Sequence, residues 1–263
     1  MKQYMGRNRG MRIIYYEFKM DFLRTIRYKM GIVSDIVVFT ILLCFFYISN
    51  TGASFQNVYG TNNYKTLLLL GYIAWTLAVS AISTIGSQIT SELQRGTLFF
   101  KLNCKLPLQI VYIGDLVSAS IIQLFIIFIY SIVTHFAFGV DYFVSPAVLV
   151  SLIICTFGMY GIGLIVAGLS IYFKRIGSII FLIQLFLLFV TNTVPTASII
   201  TNVSKILPLT MCNTVLRLNF SNENIYSSFV LLLLTSIFWF VLGYIVFGLF
   251  IKFSKKKGNL LLY

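Results

Sequence analysis

The sequence predicts an all-α membrane protein with six spanning helices. Composition is the first reason: 59% of the 263 residues are apolar, 10% are charged, and mean hydropathy is +0.92, outside the range of soluble globular chains. The second is run length. A hydrocarbon core of roughly 30 Å takes about 20 helical residues, and the apolar residues fall in runs of that size. Short alternating segments, the mark of a membrane β-barrel, do not occur.

In chain order the first element lies ahead of the spans. Residues 11 to 29 read as a helix with Tyr15, Phe18, Phe22 and Ile26 on one stripe and Arg12 and Lys19 beside it. That pattern suits an N-terminal interfacial helix lying on the membrane surface, and the simpler alternative is a basic arm that only sets topology. The spans follow as Ile32 to Ser49, Leu67 to Ile89, Leu108 to Ala137, Ala147 to Phe173, Ile176 to Val194 and Ser228 to Ile251. The third and fourth are longer than the bilayer requires, so they tilt or continue as helix beyond it. The chain thus reads as one membrane domain over 1–263: an arm (1–30), a six-span bundle (31–251) and a basic tail (252–263). A cleavable leader is not expected, because the basic stretch is too long and no small-residue cleavage site follows the first span.

Charge orients this plan. Seventeen Lys and Arg lie in the arm, the insert after the second span, the turn after the fourth and the tail, whereas only Lys65, Lys205 and Arg217 lie on the other side. Basic loops stay cytoplasmic, so both termini are expected there. The net charge of +13 is then topology and anionic-lipid contact, which leaves a nucleic-acid partner nothing to explain.

Catalytic material is sparse. The single histidine, His135, sits near the outer end of the third span, where an interfacial anchor is the ordinary role. HExxH and GxxxxGK[ST] are absent, and the four cysteines make no CxxC; no catalytic residue, metal site or resident cofactor is expected. Cys212 alone of the cysteines is expected to face outward.

The insert between the second and third spans, SELQRGTLFFKLNCKLP at 91–107, is the segment a soluble partner could grip. Ser91 can cap a short helix with Glu92 in its first turn. Gly96 permits close approach of backbones, and Pro107 opens the next helix. Glu92, Arg95-Gly96-Thr97-Leu98 and Leu106-Pro107 resemble the inner-loop signature of the ABC type-2 exporter permeases. A second match, Pro195 and then ILPLTMCNTVLR at 206–217, resembles the outer loop of the same family before its sixth span. Departures are Phe99-Phe100, where the family often has an acid, and Gly114-Asp115, where it often has a lysine; Phe99 makes the contact more apolar, and Asp115 is expected to pair with a nearby Lys or Arg.

The resemblance implies a coupling helix at 91–107 that passes force from a separate cytosolic ATPase, which itself carries ATP and Mg. It also implies a second permease copy, as a homodimer or heterodimer, in a bacterial cell membrane. The coupling residues would be Glu92, Arg95, Gly96, Thr97, Leu98, Phe99 and Pro107. Pro195, Pro208, Leu209, Thr210 and Arg217 would shape a re-entrant outer gate, an ordinary folded cap being the alternative for that loop. On the residues alone, Thr76, Ser80, Ser83, Thr84 and Ser87 form one hydroxyl-bearing face of the second span, which either packs against another helix or lines a path. The family plan adds Gln184 and Asn192 of the fifth span to that path. Gly163 and Ala167 read as a packing notch. The cargo best suited is an antimicrobial peptide or a hydrophobic drug. The competing readings are an ion-coupled transporter or channel acting without an ATPase, for which mid-membrane ionisable groups are few, a polysaccharide or lipid-linked glycan exporter, and a membrane scaffold.

Overall fold

The computed structural model describes residues 2–48, 63–104, 106–173, 177–193 and 204–257. Ten helices occur among them and no strand: α1 (Lys2–Arg27), α2 (Lys29–Ile48), α3 (Tyr64–Gln94), α4 (Leu98–Lys101), α5 (Leu108–Val111), α6 (Ile113–Phe138), α7 (Pro146–Phe173), α8 (Gly177–Val190), α9 (Pro208–Phe220) and α10 (Tyr226–Lys257).

Five of the six expected spans are long and apolar enough to cross a membrane: α2, α3, α5 with α6, α7 and α10. Of the fifth expected span, Ile176 to Val194, both end residues lie outside the described residues, and the part between them holds a 14-residue apolar helix, α8, which at the helical rise is about 21 Å long. Its end is set by Asn192, which takes a φ of 58°, a left-handed conformation that asparagine tolerates better than most side chains. Six full spans are therefore not present among the described residues.

The helices divide by burial. The middle of α3 is almost wholly enclosed, whereas α2 and α10 expose most of their apolar side chains, as helices bordered by lipid would. Helix α7 packs most extensively against α10 and next against α3, and α9 lies over α7, α10 and α3. The α7–α10 crossing depends on small residues. A Cβ on Gly161 would lie 2.2 Å from the Trp239 carbonyl oxygen, and one on Gly243 would lie 2.1 Å from the Gly161 oxygen, so the two backbones touch. Gly163 is a similar notch, seated on Ile82 of α3.

Helix α1 packs on α6 with residues beside the aromatic stripe. Ile14, Glu17, Phe18 and Asp21 turn inward, while Tyr15 and Ile26 are exposed. The reason is Gly114 at the start of α6, where a Cβ would stand 2.5 Å from the Ile14 carbonyl oxygen and 2.9 Å from the Phe18 nitrogen. Only glycine lets α1 lie that close, and the contact rotates two acids into the interior. Cys212 lies on α9, where it is fully buried and its thiol meets the Ser151 carbonyl of α7 at 3.7 Å.

Candidate functional site

The insert starts one turn later than expected. Helix α3 runs on through Ser91 and Glu92 to Gln94, because nothing breaks it before Gly96. There the chain reverses through a Schellman cap: the Thr97 N–H donates to the Glu92 carbonyl at 3.0 Å and the Gly96 N–H to Leu93 at 3.1 Å. Gly96 has a φ of 69° and open space where a Cβ would stand. It is needed for the left-handed turn, not for close approach. The helical part of the insert beyond this cap is the single turn α4, with Thr97 at its N-cap.

Leu98 is buried and anchors this turn, while Arg95, Thr97, Phe99, Phe100 and Pro107 face outward. Phe100 is 75% exposed, and its ring meets that of Phe99 edge to face at 6.2 Å. Glu92, expected on the gripped surface, lies underneath instead at 5% exposure. Its carboxylate accepts from Lys101 at 2.5 Å, Tyr112 at 2.7 Å and Gln88 at 3.1 Å. Lys101 also pairs with Glu17 of α1. One ammonium thus ties the insert to both α3 and α1. Burial works to lower the Lys101 pKa, but the hydrogen bonds and charges of Glu17 and Glu92 outweigh it and raise it, so the lysine stays charged.

A second polar layer follows. Arg24 of α1 pairs with Asp21 and donates to Gln88 Oε1 at 2.7 Å. Asp115 is fully buried, and neither of its oxygens has a hydrogen-bond partner among the described residues. The expected pairing of Asp115 with a basic residue is not made among them: Lys101 bonds Glu17 and Glu92 instead.

Beyond this layer α3 presents its hydroxyl face to a cavity of about 420 Å³. Ser80, Ser83, Thr84, Ser87 and Gln184 line it, joined by Asp21, Arg24, Asp35, Gln88 and Gln123. Two path residues named from sequence are elsewhere. Thr76 is fully buried and shares a hydrogen bond with Tyr130 at 3.1 Å, so it packs. Asn192 gives its carbonyl to Arg217 in the turn after α8 and is absent from the cavity wall.

Of the outer-gate residues, Pro195 lies outside the described residues. Pro208, Leu209 and Thr210 are buried in the first turn of α9. With Asn213 donating to the Thr191 carbonyl at 3.0 Å and Arg217 to Asn192, α9 is fastened to the end of α8. His135 turns its Nδ1 to the Val140 carbonyl at 2.8 Å and stacks on Tyr142, a local structural cap. Sequence reasoning missed Glu17, Asp21, Arg24, Gln88, Tyr112 and Gln123. Their signal was present in the α1 acids at i and i+4, but that helix was read as lying on the membrane surface and its acids were given no role.

With an exposed aromatic turn tied to a polar cavity in a bundle of apolar helices, the comparison with known families is decisive. The model of the ABC-2 type transporter matches residues 13–221, which holds both the insert and the outer loop. The chain belongs to the ABC-2 type transporter family. It is therefore a multi-pass membrane protein and a transport subunit of the ABC kind, and the family normally pairs with a cytosolic ATPase. No curated protein matches it in sequence.

Proposed function

We propose that this ABC-2 chain is the permease subunit of an ATP-driven exporter in a bacterial cell membrane. It forms half of a translocation path with a second permease copy, keeps both termini in the cytoplasm, and moves an antimicrobial peptide or hydrophobic drug outward. The observation that carries this reading is the Lys101 clamp. The exposed Phe99-Phe100 turn has no apolar cover among the described residues, yet its base is bonded through Lys101 to α3, whose hydroxyl face lines the cavity, and to α1, whose Asp21 and Arg24 stand at the cavity edge.

A push on the aromatic turn by a soluble ATPase therefore reaches the cavity through rigid helices and charge-assisted hydrogen bonds. Gly96 sets the direction of the turn and Leu98 roots it. ATP and Mg would be held by the partner, and this chain contributes no group to hydrolysis.

The test is capture of the tagged chain from mild detergent, with ATPase activity assayed in the eluate. Wild type is expected to bring down an ATPase subunit in near-equal amount, and Phe99→Asp/Phe100→Asp to lose at least about tenfold of it, since charges replace aromatic anchors that the partner would bury. An ATPase recovered equally with both chains overturns the assignment of the insert. A second reading, ion-coupled transport without an ATPase, is favoured by one observation, the buried and unpartnered Asp115; it requires proton flux in vesicles that hold this chain alone and that Asp115→Asn abolishes.

A further inference from the structure

The cavity beside α3 has a chemistry more specific than a polar lining. Ser83 donates its hydroxyl to the Val79 carbonyl at 2.8 Å, Thr84 to Ser80 at 2.7 Å and Ser87 to Thr84 at 3.0 Å. A hydroxyl has one hydrogen. With it spent inside the helix, each of these groups offers only lone pairs outward. The wall thus carries a short ladder of acceptors, about 6 Å long from Ser83 to Ser87 at the helical rise.

Charge points the same way. Arg24 is neutralised by Asp21 and further held by Gln88, whereas Asp35, exposed on α2, lines both this cavity and the adjoining one of about 360 Å³. One buried group of the lining lacks a partner: Gln123, 5% exposed, lines the cavity, and its Nε2 has no hydrogen-bond partner among the described residues. An amide N–H in that position calls for a carbonyl oxygen.

We infer that this cavity binds a cation rich in N–H donors that also carries an amide carbonyl, the chemistry of a lysine- or arginine-bearing peptide, and that it disfavours neutral or anionic hydrophobes. The ammonium or guanidinium faces Asp35, its N–H groups meet the acceptor ladder, and a backbone carbonyl accepts from Gln123. The inference rests on the proposed function, because it takes this cavity to lie on the cargo route, and it decides between the two cargo classes.

The experiment uses the full chain in phosphatidylcholine nanodiscs, with empty nanodiscs as the blank, and three fluorescent probes read by anisotropy. They are dansyl-Gly-Lys amide, its Nε-acetyl form, and dansyl-Gly-Glu amide. The lysine probe is expected to bind at least about tenfold tighter than the other two. Asp35→Asn should reduce it to the level of the acetylated probe, Asp35→Glu should retain it, and Ser83→Ala/Thr84→Val should weaken it about threefold. Equal binding of the three probes, preference for the acidic one, no saturable binding, or indifference of the lysine probe to Asp35→Asn overturns the inference. No ATPase takes part, so a chain that captures an ATPase but ignores the lysine probe refutes the ligand class alone. A chain that binds the probe but captures none refutes the exporter reading alone.

Discussion

Two residues carry mechanical roles that their chemistry makes testable. Gly96 occupies a left-handed conformation, where a Cβ costs about 1 kcal/mol or more for most side chains. Gly96→Ala should therefore lower the thermal midpoint of the purified chain, and Gly96→Asn should lower it less, because asparagine tolerates that region; equal midpoints for all three would mean that the cap is not strained. Lys101 is the other. Lys101→Met leaves Glu17 and Glu92 facing each other without their cation, and for a partly buried pair we expect a loss of about 2 kcal/mol. The sign of its pH dependence follows from the raised pKa. A group whose folded pKa lies above its unfolded value, here the ordinary 10.5, contributes fully below that value and loses its contribution as pH rises through the folded pKa. The stability gap between wild type and Lys101→Met, measured as denaturation midpoints, should be level from about pH 6 to about pH 9, below the ordinary lysine pKa, and should narrow only in strong alkali. A gap that closes by pH 8 would contradict the clamp.

Elements were legible to different degrees, for physical reasons. Run length and hydropathy located five spans because burial in hydrocarbon demands long apolar helices, and that demand is written in composition. The same cue overextended α8, where Asn192 stops the helix inside an apolar run. In the arm, a stripe of Tyr15, Phe18, Phe22 and Ile26 suggested a membrane-surface helix and gave no sign that Ile14, Glu17 and Asp21 pack inward. The deciding feature was Gly114 on another helix, and a one-residue notch on a distant element leaves no trace in local periodicity. Ser91-Glu92 looked like a cap for a similar reason. In isolation an acid after a serine reads as a helix start, but Glu92 has three hydrogen-bond partners in the fold that keep it in the last turns of α3. The hydroxyl face of α3 was visible from its spacing, and four of its five members reach the cavity; Thr76 drops out because Tyr130 of α6 caps it.

Across the whole molecule, insert, clamp and cavity form one connected route. Phe99 and Phe100 lie outside, Lys101 joins α4 to α1 and α3, and the same two helices border the cavity through Asp21, Arg24 and the serines and threonines. The far end is built differently. There α9 is held by Asn213 and Arg217 to the turn after α8, so motion of α3 against α8 would be felt at that end as well. The most direct measurement is photocrosslinking in native membranes, with benzoylphenylalanine placed at Phe100 and, as control, at Phe128, an exposed apolar site on α6. The account predicts an adduct with an ATP-binding polypeptide from position 100 and none from position 128. Adducts from position 100 that contain only lipid or a second copy of this chain would contradict it.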